Sequence, residues 1–256
     1  MALKPLKQIS FKRPLIIAHR GYRAKYPENT LASFSAALDI GVKMIELDVM
    51  LTRDRKMVVI HDATLERTTD GHGQVNGYTL QELKALDAGS WFHPSFAGER
   101  LPELEEVLDL VSDRTLINIE IKSNAYEPHH PSDAIERQVV ELVRRKKAHA
   151  FVLISSFEWK ILDSVTSMET PPAIALISKY PAESDNVKHC IKLKAFSWHP
   201  NCRELTYDQV KTMREQGIRV FPYNVDSREE YQQMIQMDVD GVITSAPPLV
   251  SVLDPA

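Results

Sequence analysis

Short runs of apolar residues alternate with amphipathic segments along most of this chain. The apolar runs are rich in Val, Ile and Leu, as expected for buried strands, and they lie at 15–18, 43–50, 57–60, 115–122, 151–155, 173–177, 195–198, 218–223 and 241–244. Apolar residues at helical spacing predict helices between them, at 31–38, 134–147, 158–167, 206–216 and 228–237. The alternation of strand and helix predicts an α/β fold with a parallel sheet.

Two architectures fit this repeat, a closed (β/α)8 TIM barrel and an open, doubly wound sheet. A doubly wound sheet normally has a glycine-rich phosphate loop after its first strand, whereas this chain reads His19-Arg20-Gly21-Tyr22-Arg23 there. A barrel typically needs about 250 residues, and the chain has 256 without a break in composition. We therefore expect a single TIM-barrel domain over residues 1–256.

One segment, about residues 63–113, interrupts the repeat. It is rich in turn residues at first, then amphipathic at 80–86, then aromatic with Trp91, Phe92 and Phe96. Because plain connections in compact domains are much shorter, we interpret this segment as a small insertion after the second strand, on the active-site side of the barrel.

Composition and charge exclude several classes of protein. With 31 basic and 35 acidic residues the net charge is −4, and no basic stripe of the kind that binds nucleic acid is present. No apolar stretch is long enough for a membrane anchor, and no apolar segment of a secretory signal precedes Pro14. The only cysteines, Cys190 and Cys202, have no metal-binding spacing, so we expect reduced thiols in a cytoplasmic protein.

An acidic pair stands in the second predicted strand. Glu46 and Asp48 alternate with apolar residues, and side chains two apart in a strand share one face. An edge strand with its polar face in water would explain the pair without a site. If the pair instead faces the barrel interior, a divalent cation would offset the repulsion and the lost hydration. Glu120 closes a neighbouring strand, and three carboxylates favour one Mg²⁺ or Ca²⁺ ion over zinc.

Two histidines and two cations accompany the carboxylates. His19 and Arg20 end the first strand, His61 follows a short strand, and Lys122 follows Glu120. Active sites of barrels form at the carboxyl ends of the strands, so these groups should meet there. Cations would neutralise phosphoryl oxygens, and two imidazoles can exchange protons with a nucleophile and a leaving group. This combination favours an anionic phosphate substrate.

Motifs spread from His19 to Pro248 resemble one known family. They are His19-Arg20-Gly21, Pro27-Glu28-Asn29-Thr30, Glu46-Leu47-Asp48-Val49, His61-Asp62, Arg67-Thr68-Thr69, Leu86-Asp87-Ala88-Gly89, Glu120-Ile121-Lys122 and Asp240-Gly241-Val242-Ile243-Thr244. This set closely resembles the glycerophosphodiester phosphodiesterase family, whose members are TIM barrels with a small insertion after the second strand.

The resemblance implies an activity and a set of roles. It implies metal-dependent hydrolysis of small glycerophosphodiesters, such as glycerophosphocholine or glycerophosphoethanolamine, to glycerol 3-phosphate and an alcohol. The implied roles fall into three groups: His19 and His61 as the acid/base pair, Glu46, Asp48 and Glu120 as metal ligands, and Arg20 and Lys122 on the phosphate. Glu28 and Asn29 match the motif as well, either as site residues or as residues that cap a helix and brace a loop.

Departures from the family pattern lie late in the chain. The seventh strand reads Phe221-Pro222-Tyr223-Asn224 where many members have Trp-Thr-Val-Asn. Phe221 could form an apolar wall of the substrate pocket in place of the indole. Trp198 in the sixth strand is a second candidate wall, or else a packing residue.

Two other functions are compatible with the same fold. A lysophospholipase D-like enzyme would need an apolar patch near the barrel mouth for an acyl chain, which Trp91, Phe92 and Phe96 could supply unless they pack the insertion. A barrel that binds phosphodiesters without cleaving them would be expected to lack a histidine or a ligand carboxylate, and the set here is complete.

Overall fold

The computed structural model of the protein describes residue 6, residues 14–180 and residues 185–248. These ranges contain strands that we number in chain order: β1 (Leu15–His19), β2 (Met44–Leu51), β3 (Met57–Val59), β4 (Leu116–Ile121), β5 (Val152–Ser156), β6 (Ala173–Ser178), β7 (Ser197–Pro200), β8 (Arg219–Val220) and β9 (Gly241–Thr244).

All strands except β3 run parallel, in the order β8-β7-β6-β5-β4-β2-β1-β9. Backbone hydrogen bonds also join the two ends of this order. The N–H of Asp240 donates to the carbonyl of Val220 at 3.1 Å, and the N–H of Ile243 donates to the carbonyl of Pro222 at 2.9 Å. The sheet therefore closes on itself, and the predicted TIM barrel is confirmed.

The apolar run at 57–60 forms a strand, but not a strand of the barrel. β3 pairs antiparallel with the end of β2, with Val59 opposite Val49 and Met57 opposite Leu51. The turn between them is only five residues long, 52–56, and a short turn returns the chain antiparallel because a parallel partner needs a long crossover. This hairpin extends β2 beyond the barrel and brings His61 back towards its mouth.

Eight helices lie in the described ranges, and most of them surround the barrel: α1 (Leu31–Asp39), α2 (Leu80–Lys84), α3 (Leu104–Val111), α4 (Ile135–Arg145), α5 (Trp159–Thr166), α6 (Asp185–Lys192), α7 (Tyr207–Glu215) and α8 (Arg228–Gln236). Hydroxyl caps fix several starts: the side chains of Thr30, Thr79, Thr206 and Ser227 each accept a hydrogen bond from the backbone N–H three residues later. The predicted helices at 134–147, 158–167, 206–216 and 228–237 agree with α4, α5, α7 and α8 to within two residues.

The alternation in β2 separates two environments. Ile45, Leu47 and Val49 belong to the large apolar cluster that joins the barrel to its helices. Met44 faces the interior, in a second cluster that fills the lower barrel with Leu6, Leu15, Ile17, Leu116 and Phe221. Because neighbouring residues in a strand point to opposite faces, Glu46 and Asp48 also face the interior, above this apolar plug. The solvent-facing alternative is excluded by their burial.

The insertion has a small core of its own. This core contains Met50, Val58, Ile60, Leu65, Val75, Leu83, Ala88 and Leu101. Helix α3 falls within the range 63–113 that the sequence assigns to the insertion, yet its buried side chains belong to the main cluster. The extra structure with a separate core therefore ends near Leu101, where α3 returns the chain to the barrel wall.

The aromatic residues of the insertion pack mainly against one another. Ring centroids of Trp91 and Phe92 are 5.6 Å apart, those of Phe92 and Phe96 are 5.7 Å apart, and Phe96 lies 5.5 Å from Tyr26 of the barrel. In the described part of the chain, no helix has the length and apolar character needed to cross a bilayer.

Candidate active site

Three buried carboxylates meet at the carboxyl ends of β2 and β4. Oxygen atoms of Glu46, Asp48 and Glu120 all lie within 4.8 Å of one another. The parallel pairing of the two strands places Asp48 directly opposite Glu120. The sequence analysis predicted this convergence, because alternate residues near the ends of adjacent barrel strands face the same interior.

Two cations contact this carboxylate group. The Nζ of Lys122 lies 3.1 Å from Asp48 Oδ1 and 2.6 Å from Glu120 Oε1. The Nε of Arg20 lies 3.2 Å from Asp48 Oδ2, and its Nη1 donates to Glu28 Oε1 at 2.7 Å. Both cations are largely buried, so these contacts are screened weakly by solvent.

The carboxylates differ in their pKa values. Burial raises the pKa of Glu46 well above its usual range, and the neighbouring charges of Asp48 and Glu120 raise it further. Burial and Asp48 raise the pKa of Glu120 to about 7. For Asp48, burial alone would raise the pKa, but Lys122 and Arg20 hold it below its usual range. When all three carboxylates are ionised, the two cations that contact them do not neutralise their charge, so the group suits an added cation.

The donor set fits a hard divalent ion. Only carboxylate oxygens converge, and Glu46 Oε1 is a buried acceptor without a hydrogen-bond partner among the described residues. Mg²⁺ and Ca²⁺ prefer such oxygen ligands, whereas zinc in structural and hydrolytic sites usually takes His or Cys as well. Glu46, Asp48 and Glu120 could therefore hold one such ion.

A tight turn after β1 positions His19 and Arg20. Arg20 has φ +55° and Gly21 has φ +81°, so two successive residues take left-handed backbone angles. The turn aims the Arg20 N–H at Glu46 Oε2, 2.9 Å away. The hydroxyl of Ser33 donates to the Arg20 carbonyl at 2.6 Å. His19 Nε2 lies 3.9 Å from Glu46 Oε2. Burial and the charge of Arg20 lower the pKa of His19 well below its usual range, so its imidazole is neutral at pH 7.

A chain of hydrogen bonds supports His61. Its Nδ1 lies 2.5 Å from Asp62 Oδ1, and the other oxygen of Asp62 accepts from Arg67 Nε at 2.5 Å. Arg67 then donates two hydrogen bonds to Glu28, at 2.7 and 3.0 Å. Since Glu28 also accepts a hydrogen bond from Arg20, these contacts link His61 to Arg20, which is predicted to bind phosphate. Because Asp62 occupies Nδ1, the Nε2 of His61 is available to a substrate.

These groups border one cavity of about 110 Å³ at the barrel mouth. Six predicted site residues line it: His19, Arg20, Glu46, His61, Glu120 and Lys122. The remaining lining side chains are Asn118, Phe157, Ile177, His199, Tyr223, Asn224 and Ile243. Asp48 lies behind Arg20 and Lys122, fully buried.

The two predicted pocket walls lie outside this lining. Trp198 belongs to the cluster between barrel and helices, and its indole N–H donates to Ser178 Oγ at 2.5 Å. Phe221 lies in the apolar plug, with its ring centroid 5.5 Å from that of His199. Trp198 faces outward because the next residue of the strand, His199, faces the interior. Phe221 does face the interior, but it lies below the cavity.

Sequence reasoning also missed Arg67 and Asp62 as supports of His61. Both stand in motifs that the sequence analysis recognised, but their contacts depend on how the insertion folds back on the barrel. Cys190 and Cys202 are buried and free, and neither lines the cavity.

Comparisons with known proteins identify the family of this chain. The sequence model of the Glycerophosphoryl diester phosphodiesterase family matches residues 19–249. A glycerophosphodiester phosphodiesterase of Caldanaerobacter subterraneus is 40% identical over 237 residues, which cover 92% of this chain and 95% of the relative. The structure of an Oleispira antarctica phosphodiesterase in complex with the product sn-glycerol-3-phosphate is 28% identical, with a TM-score of 0.84 and coverage of 93% of this chain and 96% of that one. The glycerophosphodiester phosphodiesterase of Thermotoga maritima is 28% identical, with a TM-score of 0.75 and coverage of 96% and 100%. The chain therefore belongs to the glycerophosphoryl diester phosphodiesterase family, which confirms the predicted family, the barrel fold and the assignment as a phosphodiesterase.

Proposed function

We propose that the protein hydrolyses small glycerophosphodiesters, such as glycerophosphocholine and glycerophosphoethanolamine, to glycerol 3-phosphate and an alcohol. One observation carries the proposal: two cations, two histidines and two members of a three-carboxylate cluster line a single cavity. The name of the Caldanaerobacter relative and the product bound to the Oleispira enzyme support the same substrate class.

Glu46, Asp48 and Glu120 would hold one divalent ion, Mg²⁺ or Ca²⁺. When bound, such an ion supplies positive charge that polarises a phosphoryl oxygen. Asp48 is kept ionised by Lys122 and Arg20, so one ligand is already charged before the ion arrives.

Arg20 and Lys122 would bind the phosphoryl oxygens. Both line the cavity beside the carboxylates, and a guanidinium and an ammonium stabilise charge that grows on these oxygens during transfer. The hydrogen bond from Arg20 to Glu28 fixes the guanidinium in advance, which reduces the cost of ordering it on binding.

His19 and His61 would move the protons. The hydroxyl next to the phosphorylated carbon of glycerol attacks phosphorus and gives its proton to one imidazole. The bond from phosphorus to the alcohol oxygen breaks, and that oxygen takes a proton from the other imidazole, which enters the step protonated. Water then opens the resulting cyclic phosphate with the proton transfers reversed. Asp62 holds the Nδ1 side of His61, so Nε2 serves in both steps.

A crossed panel of substrates and metals tests the proposal. Chelator-treated protein is given glycerophosphocholine, glycerophosphoethanolamine and lysophosphatidylcholine with Mg²⁺, Ca²⁺ or Mn²⁺, and glycerol 3-phosphate or lysophosphatidic acid is measured. We expect glycerol 3-phosphate only when a divalent ion is present. Failure to release it from any diester under any of these metals would contradict the proposal.

The lysophospholipid alternative has less support. An acyl chain needs open apolar surface near the cavity. Trp91 of the insertion is exposed, and Phe92 and Phe96 pack against each other, but none of the three lines the cavity. The alternative of a non-catalytic binding barrel requires a missing catalytic group, and every predicted one is present in the site. The cytoplasmic location stays a prediction from the sequence.

A further inference from the structure

Besides Tyr223, whose hydroxyl donates to the Ser178 carbonyl, three uncharged polar side chains line the cavity and have no role in the chemistry proposed above. They are Asn118, His199 and Asn224, which we call the polar wall. Asn118 precedes Glu120 by two residues on β4 and so faces the interior one layer deeper. His199 lies on β7, four strands away from β2 in the closed barrel. The polar wall therefore extends from beneath the carboxylates to the opposite side of the cavity.

The polar wall contains buried atoms without hydrogen-bond partners among the described residues. They are both amide atoms of Asn118, Nδ1 of His199 and Oδ1 of Asn224. Asn118 is 1% exposed and His199 is fully buried. Unpaired buried polar groups destabilise the folded state, so native proteins keep few of them and usually satisfy them with a ligand, water or another side chain.

The unpaired nitrogen of His199 is held in place. His199 Nε2 lies 2.9 Å from Ser197 Oγ, which fixes the imidazole ring and directs its other nitrogen elsewhere. Burial lowers the pKa of His199 to about 3, so the ring is neutral. The wall thus offers amide and imidazole donors and acceptors without charge, next to the apolar side chains of Ile177 and Ile243.

This chemistry suits a hydroxyl on a short carbon chain. A hydroxyl both donates and accepts, so it can satisfy an amide and an imidazole together. A quaternary ammonium head group such as choline can do neither. The glycerol arm is common to all glycerophosphodiesters and carries hydroxyls, and three carbons fit a cavity of about 110 Å³.

We propose that Asn118, His199 and Asn224 bind the terminal hydroxyl of the glycerol arm, on carbon 1, and make that hydroxyl a condition for rapid cleavage. The inference rests on the proposed function and deepens it. The glycerol arm then points into the barrel, and the alcohol leaves through the mouth. An acyl chain esterified to carbon 1 replaces this hydroxyl and would occupy the space beside the polar wall. Lysophospholipids are therefore excluded as substrates.

The test compares two substrates that differ by one oxygen. Glycerophosphocholine is compared with its analogue in which the terminal hydroxyl is replaced by hydrogen and the adjacent hydroxyl is kept. We expect wild-type kcat/KM to favour glycerophosphocholine by on the order of 10²-fold, because the analogue leaves the wall unpaired. In His199→Phe and Asn224→Leu, the preference should fall below about tenfold. Trp198→Phe, which changes the adjacent residue on the outer face of β7, serves as the matched control and should keep the wild-type preference.

Binding measurements separate this inference from the proposed function. Calorimetry with Mg²⁺ compares glycerol 3-phosphate with propane-1,2-diol 1-phosphate, which lacks only the terminal hydroxyl, on variants whose circular dichroism matches the wild type. A preference for glycerol 3-phosphate that both wall variants lose supports the wall, even if no diester is cleaved. Equal wild-type affinities, a preference that survives in both variants, or no binding of either phosphate would overturn it.

Discussion

The substitution Asp62→Asn tests whether the second histidine depends on its neighbour. The change keeps the size of the side chain and removes the negative charge that faces His61 Nδ1 at 2.5 Å. It also allows the amide to present an N–H to Nδ1, which favours the other tautomer and moves the proton to Nε2. Proton transfer at Nε2 should then be impaired without any loss of the histidine itself.

The size of the effect follows from the contact that is lost. A hydrogen bond to a charged group contributes about 1.5–3 kcal/mol. If this contribution is realised only when His61 carries a proton in the transition state, each 1.36 kcal/mol corresponds to about tenfold in rate. We therefore expect kcat to fall roughly 10- to 150-fold, with KM much less affected.

The assay is steady-state release of glycerol 3-phosphate from the best substrate of the panel at saturating metal. Arg67→Met is the matched comparison, because Arg67 contacts Asp62 at 2.5 Å but has no hydrogen bond to the imidazole. The kcat of Arg67→Met should fall less than that of Asp62→Asn, and the kcat of His61→Ala should fall more than either. Near-normal kcat in folded Asp62→Asn, or a larger loss in Arg67→Met, would refute the reasoning.

Four further predictions concern the end of the first strand and the metal ligands. His19→Ala should lower kcat at least about 10²-fold in a protein with unchanged circular dichroism. Gly21→Ala should lower the free energy of unfolding by at least about 2 kcal/mol in denaturant titrations, because an added Cβ would lie 1.9 Å from Ser33 Oγ at a φ of +81°. Mg²⁺ or Ca²⁺ should raise the melting temperature of chelator-treated protein, and Glu120→Gln should abolish the increase. Because the pKa of Glu120 is about 7 and binding needs the carboxylate, metal affinity in calorimetry should fall as the pH is lowered from 8 to 6.

The elements that repeat along the chain were the most predictable part of the fold. Period-two alternation in 44–50 identifies both the strand and its inward carboxylates, and hydroxyl caps such as Thr206 mark helix starts. The strand 57–60 was recognised as a strand, but periodicity carries no information about its partner. Only the shortness of the turn 52–56 indicates that it returns antiparallel along β2.

The site was predictable where charge and strand position coincide. Glu46, Asp48 and Glu120 converge because they occupy inward-facing positions near the carboxyl ends of two adjacent barrel strands. Trp198 was assigned to the wrong face because a shift of one residue along a strand reverses the face of every side chain. A strand of four residues gives too short a pattern to determine which residues face inward. The contact between Arg67 and Glu28 joins residues 39 positions apart, and no local pattern predicts such pairing.

The same contact constrains how this barrel could be redesigned. The loop that carries Arg67 contributes to the support of an imidazole in the barrel mouth, so the insertion is not an interchangeable accessory. A chimera that receives another homologue's insertion should retain turnover only if the segment 61–67 and the acidic residue at position 28 are exchanged as a unit.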